Sequence, residues 1–276
     1  MPELPEVETI KLGLQKYVVG HTISDVEVRL PRIVSGDTKN IIGAKIINVR
    51  RFGKGLVIDL DNGFSIAVHV KMTGQLVYDA DQLSSHPYFK NKHTHIVLKL
   101  GGRHDAFLYY NDVRQFGWIK ILPTKKISEL QFFKNLGKEP LKDLTLGIFS
   151  EILKNSRVAI KSLLMDQSKI AGVGNIYAND ALFIAKIHPK KQALSLSINE
   201  INNLFDSLEK VLKKGIVAGG ASEWNYVDVL GGKGKYQNFF QVYQKAGNPC
   251  KNCGTIIQKI NLGGRGTFYC PACQQF

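Results

Sequence analysis

Hydrophobic and polar positions change their period twice along this chain. Between residues 5 and 19, Val7, Ile10 and Leu14 recur at three- and four-residue steps, while Glu8 and Lys11 fall off that line and Gly20 offers a stop. That pattern predicts a helix. From about residue 22 to 122 the period shortens to that of strands. The stretch IINVRRFGKGLVIDLDNGFSIAVHVKMTG reads as consecutive strands, with Asp61-Asn62-Gly63 as a hairpin turn. HIVLKLGGRHDAFLYYND repeats the arrangement around Gly101-Gly102. The first 123 residues therefore predict an antiparallel sandwich or barrel carrying one N-terminal helix. Residues 124–145 hold Gly137, Pro140 and several lysines, and predict a linker. The helical period then returns in FSEILKNS, RVAIKSLLMDQ, NIYANDALFIAK and SINEINNLFDSLEKVLKKG, where Ser197 and Glu200 have the spacing of a capping box. A Gly-rich stretch, 216–237, predicts a loop at the end of this helical region, and residues 238–276 form a cysteine module. The whole predicts an α+β multidomain protein divided as 1–123, a linker 124–145, 146–237 and 238–276.

Composition narrows the partners. Lys and Arg number 37 against 23 Asp and Glu, a formal net charge of +14. An excess of that size favours polyanions, either nucleic acid or an anionic membrane surface. No apolar run approaches the roughly 20 residues a spanning helix needs. Glu3, Glu6 and Glu8 stand where a signal peptide would be basic and then apolar. These features predict a cytoplasmic protein with no membrane partner, and nothing in the pattern calls for an oligomer.

All four cysteines, Cys250, Cys253, Cys270 and Cys273, lie in the C-terminal module with the spacing C-x2-C-x16-C-x2-C. Each short pair can offer two thiolates to one side of a tetrahedral ion, and TIIQKINLGGRGTFYC between them reads as strand, Gly turn and strand. This predicts a zinc ribbon holding one structural ion, because four thiolates leave no open position for chemistry. Arg265 falls at the turn, either a solvated arginine or a finger aimed at a phosphate. In IAGVGNIYA, Gly172 and Gly174 free the backbone before a helix that Asn175 would start or cap. Lys154, Arg157, Lys161 and Lys169 provide a basic approach, so the loop reads as an anion site or as a plain helix–turn–helix joint.

Three separated features then coincide: MPELPEVET at the start, GVGNIYA in the middle and the two CxxC pairs at the end. Together they resemble the formamidopyrimidine-DNA glycosylase family, over nearly the whole chain and in the family's order. PELPE matches that branch, whereas the related endonuclease VIII branch typically begins PEGPE. The resemblance implies an N-terminal β-sandwich flanked by helices, a helix–two-turn–helix domain and a zinc finger, acting on damaged double-stranded DNA. It implies that Pro2 becomes the nucleophile once Met1 is removed. The freed secondary amine would titrate near ~8, attack the sugar and form an iminium that serves as an electron sink. Glu3 would move protons at the sugar and base, and Glu6 would support that geometry. Lys54, after the Arg50-Arg51 pair, and Arg265 would serve elimination and phosphate contact.

The family fills the hole left by an extruded base with a Met, an Arg and a Phe. Here these would be Met72, Arg114 and Phe116, with Arg114 facing the base opposite the lesion. By parity alone Met72 joins Ile66, Val68 and Val70 in the core, and Phe116 goes with Trp118. His93 matches a DNA-contact histidine, and Arg157 and Asn175 are further phosphate candidates. Residues 219–236 occupy the place of a cover over the extruded base, where Glu223 and Trp224 replace small polar residues. The expected activity is a bifunctional glycosylase and abasic-site lyase for oxidised purines. Two alternatives stay open: an endonuclease VIII-like enzyme for oxidised pyrimidines, and a non-catalytic zinc-ribbon DNA-binding protein.

Overall fold

The computed structural model describes residues 1–80, 88–223 and 225–276. They form two compact units, Met1–Lys134 with Ala218–Gln237, and Asn135–Val217 with Asn238–Phe276.

The first unit opens with helix α1 (Leu4–Tyr17), followed by strands β1 (Thr22–Val28), β2 (Val34–Ser35), β3 (Ile46–Phe52), β4 (Gly55–Leu60) and β5 (Phe64–His69). Strands β6 (Gly74–Asp79), β7 (Thr94–Gly101), β8 (Ala106–Asp112) and β9 (Trp118–Pro123) complete two sheets. Their orders are β1-β7-β8-β6 and β2-β9-β5-β4-β3, antiparallel except for the short β2–β9 pair. The Asn62-Gly63 and Gly101-Gly102 turns join β4 to β5 and β7 to β8, as the local sequence predicts. Alternation puts Ile58, Ile66, Val68, Ile119 and Ile121 of one sheet in a single core with Leu76, Ile96, Leu98, Leu108 and Tyr110 of the other. Val7, Ile10 and Leu14 of α1 seal its end.

Strand β4 is buried on both faces. Its outer face, with that of β5, lies under Ile127 and Phe133. Those residues come from a 3-10 turn, Thr124–Glu129, and from the short helix α2 (Gln131–Lys134). The start of the segment with linker composition is thus a lid on a sheet, because its apolar residues have an uncovered sheet face to bury against.

The second unit contains α3 (Leu146–Lys154), α4 (Ile160–Leu164), α5 (Asn175–Ile184), α6 (Ile198–Val217) and a hairpin of β10 (Gln258–Leu262) and β11 (Arg265–Tyr269). Ser197 and Glu200 make the reciprocal cap of α6, with Ser197 N–H donating to Glu200 at 2.9 Å. The buried stripe of α6 is Ile201, Leu204, Leu208, Val211 and Leu212. Asp180 of α5 is fully buried and accepts the N–H groups of Gln241, Val242 and Tyr243 at 3.0, 3.1 and 3.3 Å. One carboxylate thus fixes the chain as it enters the cysteine module. Among the described residues, no helix is long and apolar enough to cross a membrane.

Removing that carboxylate strands three backbone donors, the Val242 N–H fully buried and the other two partly so. Asp180→Ala should lower the unfolding free energy by about 3 kcal/mol, with a smaller loss for Asp180→Asn. Thermal melting of the zinc-loaded protein checks this, and an unchanged melting temperature in Asp180→Ala would contradict it.

Candidate functional site

Helix α1 begins one residue after Glu3, with Pro5 in its first turn. A proline there loses no hydrogen bond, since that N–H has no intrahelical partner. Glu3 and Glu6 form a capping box, and Glu6 Oε2 accepts the Glu3 N–H at 2.8 Å. The other oxygen, Oε1, accepts the N–H of Ala221 at 2.8 Å. Pro2, Glu3 and Glu6 are all buried, while Met1 is exposed. A loop distant in sequence thereby closes on the first turn of the chain.

Two residues hold that loop in place. The Tyr226 hydroxyl lies 3.0 Å from the Gly219 carbonyl and 3.4 Å from that of Glu6. Burial, and then the nearby Glu6 carboxylate, push its phenol well above the ordinary value, so it stays a donor. Gly220 has φ +81°, and a Cβ there would fall 2.8 Å from Glu6 Cγ and 2.9 Å from Glu6 Oε1. Tyr236 is buried in the 3-10 turn that follows the loop, and its N–H donates to the Gly220 carbonyl at 2.9 Å. Trp224 lies outside the described residues.

Lys54 sits in the turn between β3 and β4 and is buried. Beside it the structure reveals a residue that the pattern did not single out, His69 at the end of β5. Burial first, then the charges of Lys71 and Lys54, lower the His69 pKa to about 3, so the ring is neutral. Phe132 meets it edge-on at 4.6 Å between centroids. Only its place three residues before Met72 in HVKMTG marks it in the sequence.

Met72, Arg114 and Phe116 come together. Arg114 Nη1 lies 3.0 Å from Met72 Sδ, and its guanidinium lies over the Phe116 ring at 4.7 Å. Phe116 is 54% exposed and Met72 half-buried, so the core placement that parity suggests for both is corrected. Strand β5 ends at His69 and β8 at Asp112, so neither residue belongs to a strand. His93, also half-buried, borders a polar cavity with Gln75, Asn91, Asn111 and Asn225.

In the second unit the cap of α5 is Gly174, and Asn175 is the first helical residue. Asn175 donates its side-chain amide to the Gly266 carbonyl at 3.1 Å, next to Arg265. Arg157, Lys154 and Lys169 are exposed. Lys161 is not part of that basic surface. It is 1% exposed and donates to the Gly266 carbonyl at 3.1 Å and the Thr267 hydroxyl at 2.6 Å. Its spacing with Leu164 on the apolar stripe was the available signal. Arg265 is exposed at the first position of β11, after Gly263 and Gly264 with φ +57° and +72°. Both positive values suit the two-residue hairpin turn.

The sulfurs of Cys250, Cys253, Cys270 and Cys273 all lie within 4.8 Å of one another. Sγ–Sγ separations of 3.4, 3.5 and 3.9 Å bracket the edge of about 3.8 Å that a tetrahedron with Zn–S near 2.3 Å requires. The set fits one zinc ion, with no position left for a substrate.

Comparison with known proteins gives matches along most of the chain. Residues 1–119 match the formamidopyrimidine-DNA glycosylase N-terminal domain, 136–225 its H2TH domain, and 247–275 a zinc finger found in that family and in isoleucyl-tRNA synthetase. The formamidopyrimidine-DNA glycosylase of Pelotomaculum thermopropionicum is 42% identical, covering 100% of this chain and 99% of its own. That of Streptococcus mutans is 39% identical over 100% of both. Among solved structures, a point mutant of the Lactococcus lactis enzyme with Fapy-dG-containing DNA aligns at TM-score 0.90 and 38% identity over 100% of both chains. The Lactococcus lactis protein with abasic-site DNA aligns at 0.90 and 38%, covering 99% of this chain and 100% of that one.

The loop contact generates a comparison between adjacent glycines. Gly219 also has a positive φ, +70°, but the nearest atom to a Cβ there is 3.8 Å away. Gly219→Ala should cost backbone strain of about 1 kcal/mol, and Gly220→Ala about 1–3 kcal/mol more. Chemical denaturation measures both; equal losses would remove the packing argument at Glu6.

Proposed function

The chain belongs to the formamidopyrimidine-DNA glycosylase family, and from that premise we propose that it is a bifunctional DNA glycosylase and abasic-site lyase of base-excision repair. Its substrates are oxidised purines, 8-oxoguanine and formamidopyrimidines, in double-stranded DNA. It works as a monomer in the cytoplasm. The observation that carries this reading is the fixing of the first turn of α1. Pro2 precedes Glu3, and Glu3 is pinned through its N–H by the Glu6 carboxylate.

With Met1 removed, the Pro2 nitrogen is a secondary amine with a lone pair. It attacks C1′ of the damaged nucleotide while the bond to the base breaks, and the base leaves with a proton. The sugar ring opens to give an iminium on Pro2. That cation draws electrons from C2′, a proton leaves C2′, and the 3′ phosphate departs; a second elimination releases the 5′ phosphate. Glu3, next to the nucleophile, holds and moves the proton at the sugar and base. Glu6 fixes Glu3. Lys54 and Arg265 take phosphate contacts and serve the eliminations, and Arg157, Asn175 and His93 take further backbone contacts. Met72, Arg114 and Phe116 enter the space left by the extruded base, with Arg114 offering donors to cytosine on the other strand. Residues 219–236 cover the extruded base. One zinc ion, held by the four cysteines, supports the hairpin that carries Arg265.

The test is a panel of duplexes carrying 8-oxoguanine, ring-opened purine, thymine glycol or an abasic site, with borohydride present. Purine lesions opposite cytosine should be cut fastest, wild type should become covalently trapped, and Pro2→Gly should trap poorly. Fastest cutting of thymine glycol would favour the endonuclease VIII reading. Absence of trapping on every duplex would leave a DNA-binding protein without lyase chemistry.

A further inference from the structure

The three residues assigned to the space left by the extruded base stand on two separate loops, residues 71–73 and 113–117. One buried side chain is bonded to both loops. Asp112, the last residue of β8, is 0% exposed. Its Oδ1 accepts the Thr73 hydroxyl. Its Oδ2 accepts the Gly117 N–H at 2.8 Å and lies 3.4 Å from the Tyr110 hydroxyl. Thr73 Oγ1 in turn accepts the Arg114 N–H at 2.9 Å.

The direction of this chain of bonds is fixed. An amide N–H only donates, so Thr73 receives from Arg114 and must spend its single proton on the carboxylate. Burial, and then the charge of Asp112, push the Tyr110 phenol far up, so it too remains a donor. His95 Nε2 lies 2.8 Å from the Asp112 carbonyl and steadies the same strand end. At Gly117 a Cβ would fall 1.7 Å from the Tyr110 hydroxyl and 3.0 Å from Asp112 Oδ2. The backbone therefore reaches the carboxylate only because that residue has no side chain. Each loop is tied to Asp112, one through Thr73 and the other through Gly117. Arg114 is tied to the same point through Thr73.

We propose that Asp112, acting through Thr73, is the positioning residue that sets Arg114, Met72 and Phe116 in their reading arrangement, and so sets discrimination of the base opposite the lesion. The inference rests on the reading that Arg114 faces that base. Physically, an exposed phenylalanine and an exposed guanidinium pack on each other and not in the core, so their loops must be fixed from below. A wedge must be stiff to enter a base stack, and donors must be placed to within about 0.5 Å to separate one base from another. Neither Asp112 nor Thr73 needs to touch DNA for this. The carboxylate converts two flexible loop tips into one rigid group.

The test compares Thr73→Val, which removes the relay hydroxyl at nearly constant shape, with Thr73→Ser, which keeps it. Arg114→Ala is the reference, and Asp112→Asn a second probe of the same centre. The readout is the ratio of single-turnover base release from 8-oxoguanine opposite cytosine to that opposite adenine, with melting temperatures measured alongside. Thr73→Val should lower the ratio about tenfold, the worth of one hydrogen bond to a charged group, and Thr73→Ser should restore it. A ratio changed by Arg114→Ala but untouched by Thr73→Val overturns the proposal and leaves the reading of Arg114 standing. Equal losses in Thr73→Val and Thr73→Ser also overturn it, as a general packing effect. If Arg114→Ala itself leaves the ratio at the wild-type value, the reading of Arg114 falls and takes the proposal with it.

Discussion

Both oxygens of the Glu6 carboxylate are committed. One accepts the N–H of Glu3, three residues back, and the other accepts the N–H of Ala221, 215 residues ahead. Hydrogen bonds to a charged group contribute roughly 1.5–3 kcal/mol each, and this group is 1% exposed. Chain termini ordinarily fray. Here the first turn is instead locked from two directions, and the residue before it, Pro2, is buried. A nucleophile at a terminus must be both unhindered at nitrogen and fixed in place. For Pro2 as the proposed nucleophile, removal of Met1 would supply the first condition, and the bonds of Glu6 would supply the second.

The same principle recurs at the other functional groups. Asp112 ties the loops of the readout trio, and Asp180 ties the chain entering the cysteine module to α5. Lys161 fixes Gly266 and Thr267, the residues after Arg265. In each case a buried charged side chain binds backbone or hydroxyl groups of a neighbouring segment. Such groups are costly to bury without partners, so each makes the conformation of its segment hard to exchange. The exposed side chains proposed to meet DNA, Phe116, Arg114 and Arg265, are then carried on fixed supports.

Local spacing made some of this readable in the sequence and left the rest hidden. The helix start at PELPE, the Asn62-Gly63 hairpin, the Ser197–Glu200 cap and the CxxC pairs all depend on residues within a few positions, and the structure places each as read. Periodicity misled at Met72 and Phe116. Parity does not reveal where a strand stops, and both follow residues with positive φ, Lys71 at +49° and Gln115 at +57°. Lys161 looked like one more surface cation, since the groups it binds lie 105 and 106 residues away. The Gly-rich loop continues from α6 in sequence yet packs with α1, through Gly220, Ala221, Tyr226 and Val229, all more than 200 residues from the helix they meet. Asp112 carried no signal, because a lone aspartate at a strand end is usually a turn residue.

The proposed function rests on the freed amine of Pro2 making the covalent bond to the damaged sugar. Mass spectrometry of the borohydride-reduced protein–DNA adduct, after proteolysis, tests it most directly. A sugar adduct is expected on an N-terminal peptide that begins at Pro2 and lacks Met1. An adduct mapped to Lys54 or another lysine, or undiminished strand scission by protein that retains Met1 throughout, would contradict it.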